Sequence, residues 1–332
     1  MDIATHALAS LALARGVFPR RRWPILVATV LGGTLADIDL LTIWLGPGAY
    51  LAGRHTYTHS ILGTLAVIAV AAGLGYFLAR RGIAVCTVDV ILAPTLAAVV
   101  HLLLDLCTSS GVALLWPRSL RRFALDWLPD LDVWILALLS AGILLPELLR
   151  LVTSEIGAKD KAPRGRNGAL VAFAMVVIYI TVRSALHHSA VAMLEPNTYR
   201  GESPQRISAF AESMSLLGWR GIVDTPSNVC LVSVPIAGGH FDPELAACVH
   251  KPEPSPQLTA AQRTPAAAEM LRSARFPRAS VDKTNEGYQI VIRDMCDVVE
   301  ESRYGVAAQI FLDAGSIVQR EGFVWAGDVH LR

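Results

Sequence analysis

Polar punctuation divides the first 190 residues into apolar blocks that are too long for strands and too uniform for amphipathic surface helices. Five of them, 23–46, 60–79, 83–109, 131–150 and 168–187, approach the roughly 20 residues a helix needs to cross a bilayer. A sixth, 3–18, predicts a shorter apolar helix whose spanning is left open. Beyond about residue 190 hydropathy falls and Pro196, Pro204, Pro226, Pro235 and Pro243 interrupt the chain. There 219–225, 228–236, 287–294 and 306–312 are rich in Val and Ile with partial alternation, which predicts strands. KPEPSPQLTAAQRTP, 251–265, reads as a loop or linker, and no internal repeat stands out. The expected fold class is mainly α: a polytopic transmembrane bundle of five to six helices over 1–190, then a smaller α+β extramembrane domain over 191–332.

Composition agrees with a membrane protein. The chain is 53% hydrophobic, with a mean hydropathy of +0.46. Its net charge of +1 conceals an asymmetry, because the basic residues gather between alternate blocks: Arg20, Arg21 and Arg22; Arg80 and Arg81; Arg150, Lys159, Lys161, Arg164 and Arg166. Five spans would put all three groups on one side, which the positive-inside rule makes cytoplasmic. The loops 47–59 and 110–130 and the C-terminal domain would then face outward. Charge here reports topology, and no nucleic-acid partner is expected. Of five cysteines, Cys86 and Cys107 lie in apolar blocks as small hydrophobes; Cys230, Cys248 and Cys296 are the ones able to form disulfides. No Cys-x-x-Cys pair occurs. The first 17 residues look superficially like a signal peptide, but Asp2 and His6 stand where a basic region belongs, so the segment is read as retained.

Ionisable side chains recur in this apolar context. A charge at a helix centre costs roughly 2.5–3.5 kcal/mol on insertion scales, so it belongs in a bundle interior with a partner. Asp2 and His6, His55 and His59, and His101 and Asp105 are each spaced i, i+4, a spacing that puts two side chains on one helix face. Asp37 and Asp39 are two apart and cannot share a face of an unbroken helix; either Gly32 and Gly33 allow a break or one of the two is not a ligand. Counting about 1.5 Å per residue brings all eight to the outer level, where Asp126, Asp130, Asp132, His187 and His188 also map. Imidazoles and carboxylates without thiolates suit zinc, manganese or iron. Eight donors exceed what one tetrahedral zinc requires, so two or three divalent ions, preferably zinc, are expected. Such ions activate water for ester cleavage, with Asp126 and Asp132 as the catalytic carboxylates that orient it or supply a proton. Plainer roles stay open: Asp2 as a charge at a helix N-terminus, His55 as an interfacial histidine, and Asp126, Asp130 and Asp132 as caps or solvated loop residues.

MDIATHALAS, LADIDLL, THSILG, HLLLDLCTSSGVALLWP and RRFALDWLPDLD, in that order, resemble the membrane-bound metal-dependent hydrolase family typified by YdjM, over residues 1 to about 190. The resemblance implies an inner-membrane hydrolase with His6, Asp37, Asp39, His59, His101 and Asp105 at metal-binding positions, and with Asp126 and Asp132 at later acidic ones. Ala36 stands where the family often has Pro, and Arg54-His55 reverses the family's order. The succession His, Asp, His, His-x-x-x-Asp is also remotely similar to zinc-dependent phospholipase C and the related single-strand nucleases, which suggests phosphoester cleavage. The leading expectation is a metal-dependent hydrolase at the outer leaflet, acting on a phospholipid, another phosphoester or a lipid-linked substrate among the membrane lipids. A metal transporter or ion-coupled carrier and a metal-stabilised scaffold are the rivals. The tail has no nucleotide loop, nucleophile elbow or basic aromatic stripe, so neither chemistry nor a protein partner is assigned to it.

Overall fold

The computed structural model describes residues 1–18, 22–80, 83, 85–155, 165–239, 241–299 and 304–328. Arg20, Arg21, Arg81, Lys159, Lys161 and Arg164, which carry much of the charge asymmetry, lie outside them. The chain forms two compact units, 1–39 with 55–185 and 40–54 with 186–332.

The first unit is helical. It opens with α1 (Ile3–Val17) and α2 (Trp23–Thr34), which runs on as a 3-10 segment (Leu35–Leu45) whose residues from Leu40 onward belong to the second unit. After α3 (Pro47–Gly53), part of the second unit, come α4 (Ile61–Ala79), α5 (Thr87–Leu106), α6 (Val133–Glu155) and α7 (Arg166–Leu194). Among the described residues five segments are long and apolar enough to cross a membrane: Trp23–Leu45, Ile61–Ala79, Thr87–Leu106, Val133–Leu151 and Arg166–Leu194. α1, at 15 residues, is shorter. Leu65, Val70 and Phe77 of α4 and Leu144, Leu149 and Leu151 of α6 are exposed, an apolar surface that lipid rather than water suits. Close approach within the bundle depends on Gly32 and Gly33. A Cβ at Gly32 would lie 2.5 Å from the Pro94 carbonyl oxygen of α5, and one at Gly33 would collide with the Ser10 hydroxyl of α1. The glycine pair therefore lets α2 pack against both neighbours, and the helix changes form only afterwards, at Leu35.

The second unit holds two antiparallel sheets. β1 (Arg206–Ala211), β2 (Gly218–Asp224), β3 (Asn228–Pro235) and β4 (Ala247–His250) pair in chain order, as do β5 (Pro277–Thr284), β6 (Gly287–Asp294), β7 (Val306–Asp313) and β8 (Val318–Trp325). The four strands expected from alternation are β2, β3, β6 and β7, the central pair of each sheet. Cys230 and Cys248, opposite each other on β3 and β4, form a disulfide, while Cys296 is a buried thiol. The stretch 251–265 is not a plain linker. It contains α8 (Pro256–Gln262) and ends where α9 (Pro265–Ser273) begins. Ser255 and Thr264 are N-caps whose hydroxyls accept from Leu258 N and Ala267 N, and each is followed by a proline at the first helical position.

Glu202 pins the turn between β2 and β3. Its Oε2 accepts from the Thr225 hydroxyl at 2.6 Å, Ser227 N at 3.0 Å and Asn228 Nδ2 at 3.2 Å. These donors favour the ionised form and hold its pKa at about 2, against an ordinary 4.5. A depressed carboxyl stabilises the fold fully above its unfolded value, and the contribution is lost as pH falls from about 4.5 to about 2. Thermal melts at pH 5 and pH 3 should show a larger loss for the wild type than for Glu202→Gln.

Candidate metal centre

Six side chains meet at one end of the helical bundle. His101 and Asp105 lie on one face of the last turns of α5, His6 lies in the second turn of α1, and His55 and His59 lie in the connection that leads into α4. Asp37 comes from the 3-10 segment. All six are buried. Two donor sets share one residue: His6, Asp37, His101 and Asp105 form the first, and His55, His59 and Asp105 the second, with the donor atoms of each set within 4.8 Å of one another. Asp105 joins the sets through both oxygens. Its Oδ1 lies 3.1 Å from His6 Nε2 and 2.5 Å from the Met1 amino nitrogen; its Oδ2 lies 3.1 Å from His59 Nε2 and 3.2 Å from His101 Nε2. Asp37 Oδ1 is 3.8 Å from His59 Nε2 and 3.9 Å from His101 Nε2.

Backbone acceptors fix how the imidazoles face. His101 Nδ1 lies 2.9 Å from the Gly33 carbonyl and His55 Nδ1 3.0 Å from that of Gly111. A carbonyl only accepts, so each Nδ1 carries the proton and, in a neutral ring, Nε2 presents a lone pair. His59 follows the same rule, with Nδ1 3.1 Å from the Asp39 carboxylate. The Nε2 atoms of His59 and His101 are then turned toward each other at 3.0 Å, beside the buried oxygens of Asp37 and Asp105. Facing lone pairs repel, and buried carboxylates are costly without a counter-charge. Among the described residues, Asp37 Oδ2 and Asp105 Oδ2 meet no hydrogen-bond donor in good geometry, although the two imidazole nitrogens lie close to Asp105 Oδ2. A cation resolves these conflicts together. The 3.0–3.2 Å separations around Asp105 Oδ2 bring these donor atoms within reach of one ion. The cluster can therefore hold a metal ion. Burial pushes the His59 imidazole down, but Asp105, Asp37 and Asp39 outweigh it and hold its pKa well above the ordinary value.

The other residues singled out from sequence fall elsewhere. Asp2, counted there as a ligand, is the N-cap of α1, where Thr5 N donates to its Oδ1 at 2.9 Å. Asp39 stands behind His59 instead of within either donor set, and Oδ2 also accepts from His55 N at 2.7 Å. Asp132, read there as catalytic, caps α6 through Trp134 N at 3.0 Å and Ile135 N at 3.1 Å, and its Oδ2 accepts from Tyr179 at 2.9 Å. Asp130 accepts from Ser110 at 2.6 Å. His187 and His188 belong to the second unit, where His187 packs beside Trp219. Asp126 is buried in the left-handed region, at φ 60°. Its neighbours Leu125 and Trp127 donate to the carbonyls of Leu106 and Cys107, the two residues after Asp105. Met1 and the carbonyls of Gly33 and Gly111 went unforeseen, since backbone partners leave no mark in a sequence.

Fold and site together define a multi-pass membrane bundle with a buried His/Asp cluster able to hold a metal. Residues 1–190 match the family described as YdjM inner membrane protein, and the chain belongs to that family. Among curated proteins and solved structures nothing matches the chain.

Elemental analysis of purified protein should find metal in the wild type and in Asp2→Ala, and none in Asp105→Asn. Asp2→Ala should cost about 1 kcal/mol of stability through its lost cap. Equal metal in all three would remove the cluster as the binding site.

Proposed function

We propose that this chain is a metal-dependent hydrolase that cleaves a phosphoester or lipid-linked substrate at the outer face of the inner membrane. The observation that carries this reading is the pair of donor sets sharing Asp105, which provides two adjacent positions. Zinc suits these donors best, with manganese or iron as alternatives, and two ions match the two sets. Bound ions would supply a water of lowered pKa and charge to offset the oxygens of a cleaving ester. The chain's own residues do the rest. Asp105 holds the two positions together, Gly33 and Gly111 keep His101 and His55 turned inward, and Asp39 does the same for His59. Asp126 is assigned as the proton acceptor. The hydrogen bonds on either side of it tie it to the residues following Asp105, and its left-handed backbone is the kind of strain that collects at functional sites.

The donors gather at one end of the bundle, since His59 precedes α4 and Asp105 is next to last in α5. A carrier would be expected to distribute such groups through the membrane depth, so turnover is preferred over transport. The outward placement of this end and of the second unit is supported by the basic groups between the other ends of the spans. The Cys230–Cys248 disulfide adds support, because disulfides persist in oxidising compartments.

Activity should appear on a panel of nitrophenyl phosphomono- and diesters and defined phospholipids. Asp126→Asn should lower kcat about 10²–10⁴-fold with metal content unchanged. Stoichiometric metal with no turnover across the panel would sink the hydrolase reading, and metal flux into proteoliposomes abolished by His101→Ala would replace it with transport. For topology, an impermeant thiol reagent applied to spheroplasts after mild reduction should label Cys248, the half-buried member of the pair. Labelling only after the membrane is opened would reverse the orientation.

A further inference from the structure

Residues 40–54 run from the end of the 3-10 segment through α3, and the residues that flank them are joined by a hydrogen bond from His55 N to Asp39 Oδ2 at 2.7 Å. His55 belongs to a donor set, and Asp39 fixes the tautomer of His59, which belongs to the same set. The segment itself folds with residues 186–332. Tyr50, only 3% exposed, packs its ring 5.6 Å from that of Trp325 and 6.3 Å from that of Tyr304. Leu51 joins the apolar cluster built from β6, β7, α8 and α9. Phe323 of β8 lies so close over Gly48 that a Cβ there would be 2.7 Å from its ring. α3 has seven residues, far below the ~12–15 at which an isolated helix becomes even marginal. Its shape is therefore imposed by the sheet on which it lies.

We infer that the β5–β8 sheet acts as a positioning device for the metal centre. By holding α3 against β8 it fixes the separation of Asp39 and His55, and through Asp39 the orientation of His59. Tyr50, Gly48, Phe323 and Trp325 are the positioning residues. This inference rests on reading the cluster as a metal centre, and it gives the C-terminal domain a task inside the chain itself.

The test is titration of full-length, detergent-solubilised, metal-stripped protein with Co²⁺, reading affinity and the visible absorption bands that report coordination geometry. Trp325→Ala removes the ring beside Tyr50, and Gly48→Val pushes the segment off Phe323 without touching an aromatic residue. Both should bind Co²⁺ about 10–100-fold more weakly, the range seen when groups that orient ligands are lost. Their bands should be altered and their far-ultraviolet circular dichroism unchanged, and Trp325→Phe should bind nearly as the wild type does. If Trp325→Ala does not fold, Gly48→Val decides alone. Wild-type affinity and bands in Gly48→Val overturn the inference while leaving the metal centre standing. A wild-type protein that binds no Co²⁺ overturns both.

Discussion

One carboxylate organises the helical unit. Asp105, fully buried, faces the Met1 amino group and three imidazoles that come from α1, from the connection into α4 and from its own helix. An anion in an apolar bundle is expensive unless positive charge surrounds it. The segments whose polar groups answer it are thereby drawn to one point. Apolar helices in lipid gain little from hydrophobicity as they pack against one another, so a shared polar centre is an effective way to specify which ends meet.

Backbone adjustments make the meeting possible. Gly32 and Gly33 bring α2 against α5 and α1 closely enough for Asp37 to reach His101. The change of winding at Leu35 then buries both Asp37 and Asp39, which a continuous α-helix would have turned to different faces. His55 lies at φ 52°, outside helical geometry, so its imidazole meets the ring of His59 across a turn and not along a helix.

That last point shows how the sequence could be read and where it misled. The i, i+4 spacing singled out histidines that the fold does gather, yet of the three pairs only His101 and Asp105 are helical; Asp2 caps the helix that carries His6, and His55 and His59 lie in turns. Spans were legible because hydropathy alone specifies them. In the C-terminal unit alternation revealed β2, β3, β6 and β7 but not β1, β4, β5 and β8, which lie at sheet edges. An edge strand pairs on one side only and tolerates more polar residues, so its pattern is diluted. Likewise the prolines of 251–265 looked like linker residues, although a Ser or Thr before each of the last two turns them into helix starts.

The division of the chain follows from the same economy of contacts. Residues 40–54 carry the end of the first apolar span, Trp23–Leu45, into α3, whose seven residues are too few to hold a helix by themselves. The helical unit breaks off at Asp39 and resumes at His55. A segment in that position can be left to wander, which would loosen His55 of the cluster and Asp39 behind His59, or be given a support. The aromatic rings of Tyr304 and Trp325 around Tyr50 supply the support from a part of the chain more than 250 residues later. A polar centre that must keep several anions and imidazoles in register within a lipid-facing bundle thus gives a physical reason for the extramembrane sheets, independent of any chemistry of their own.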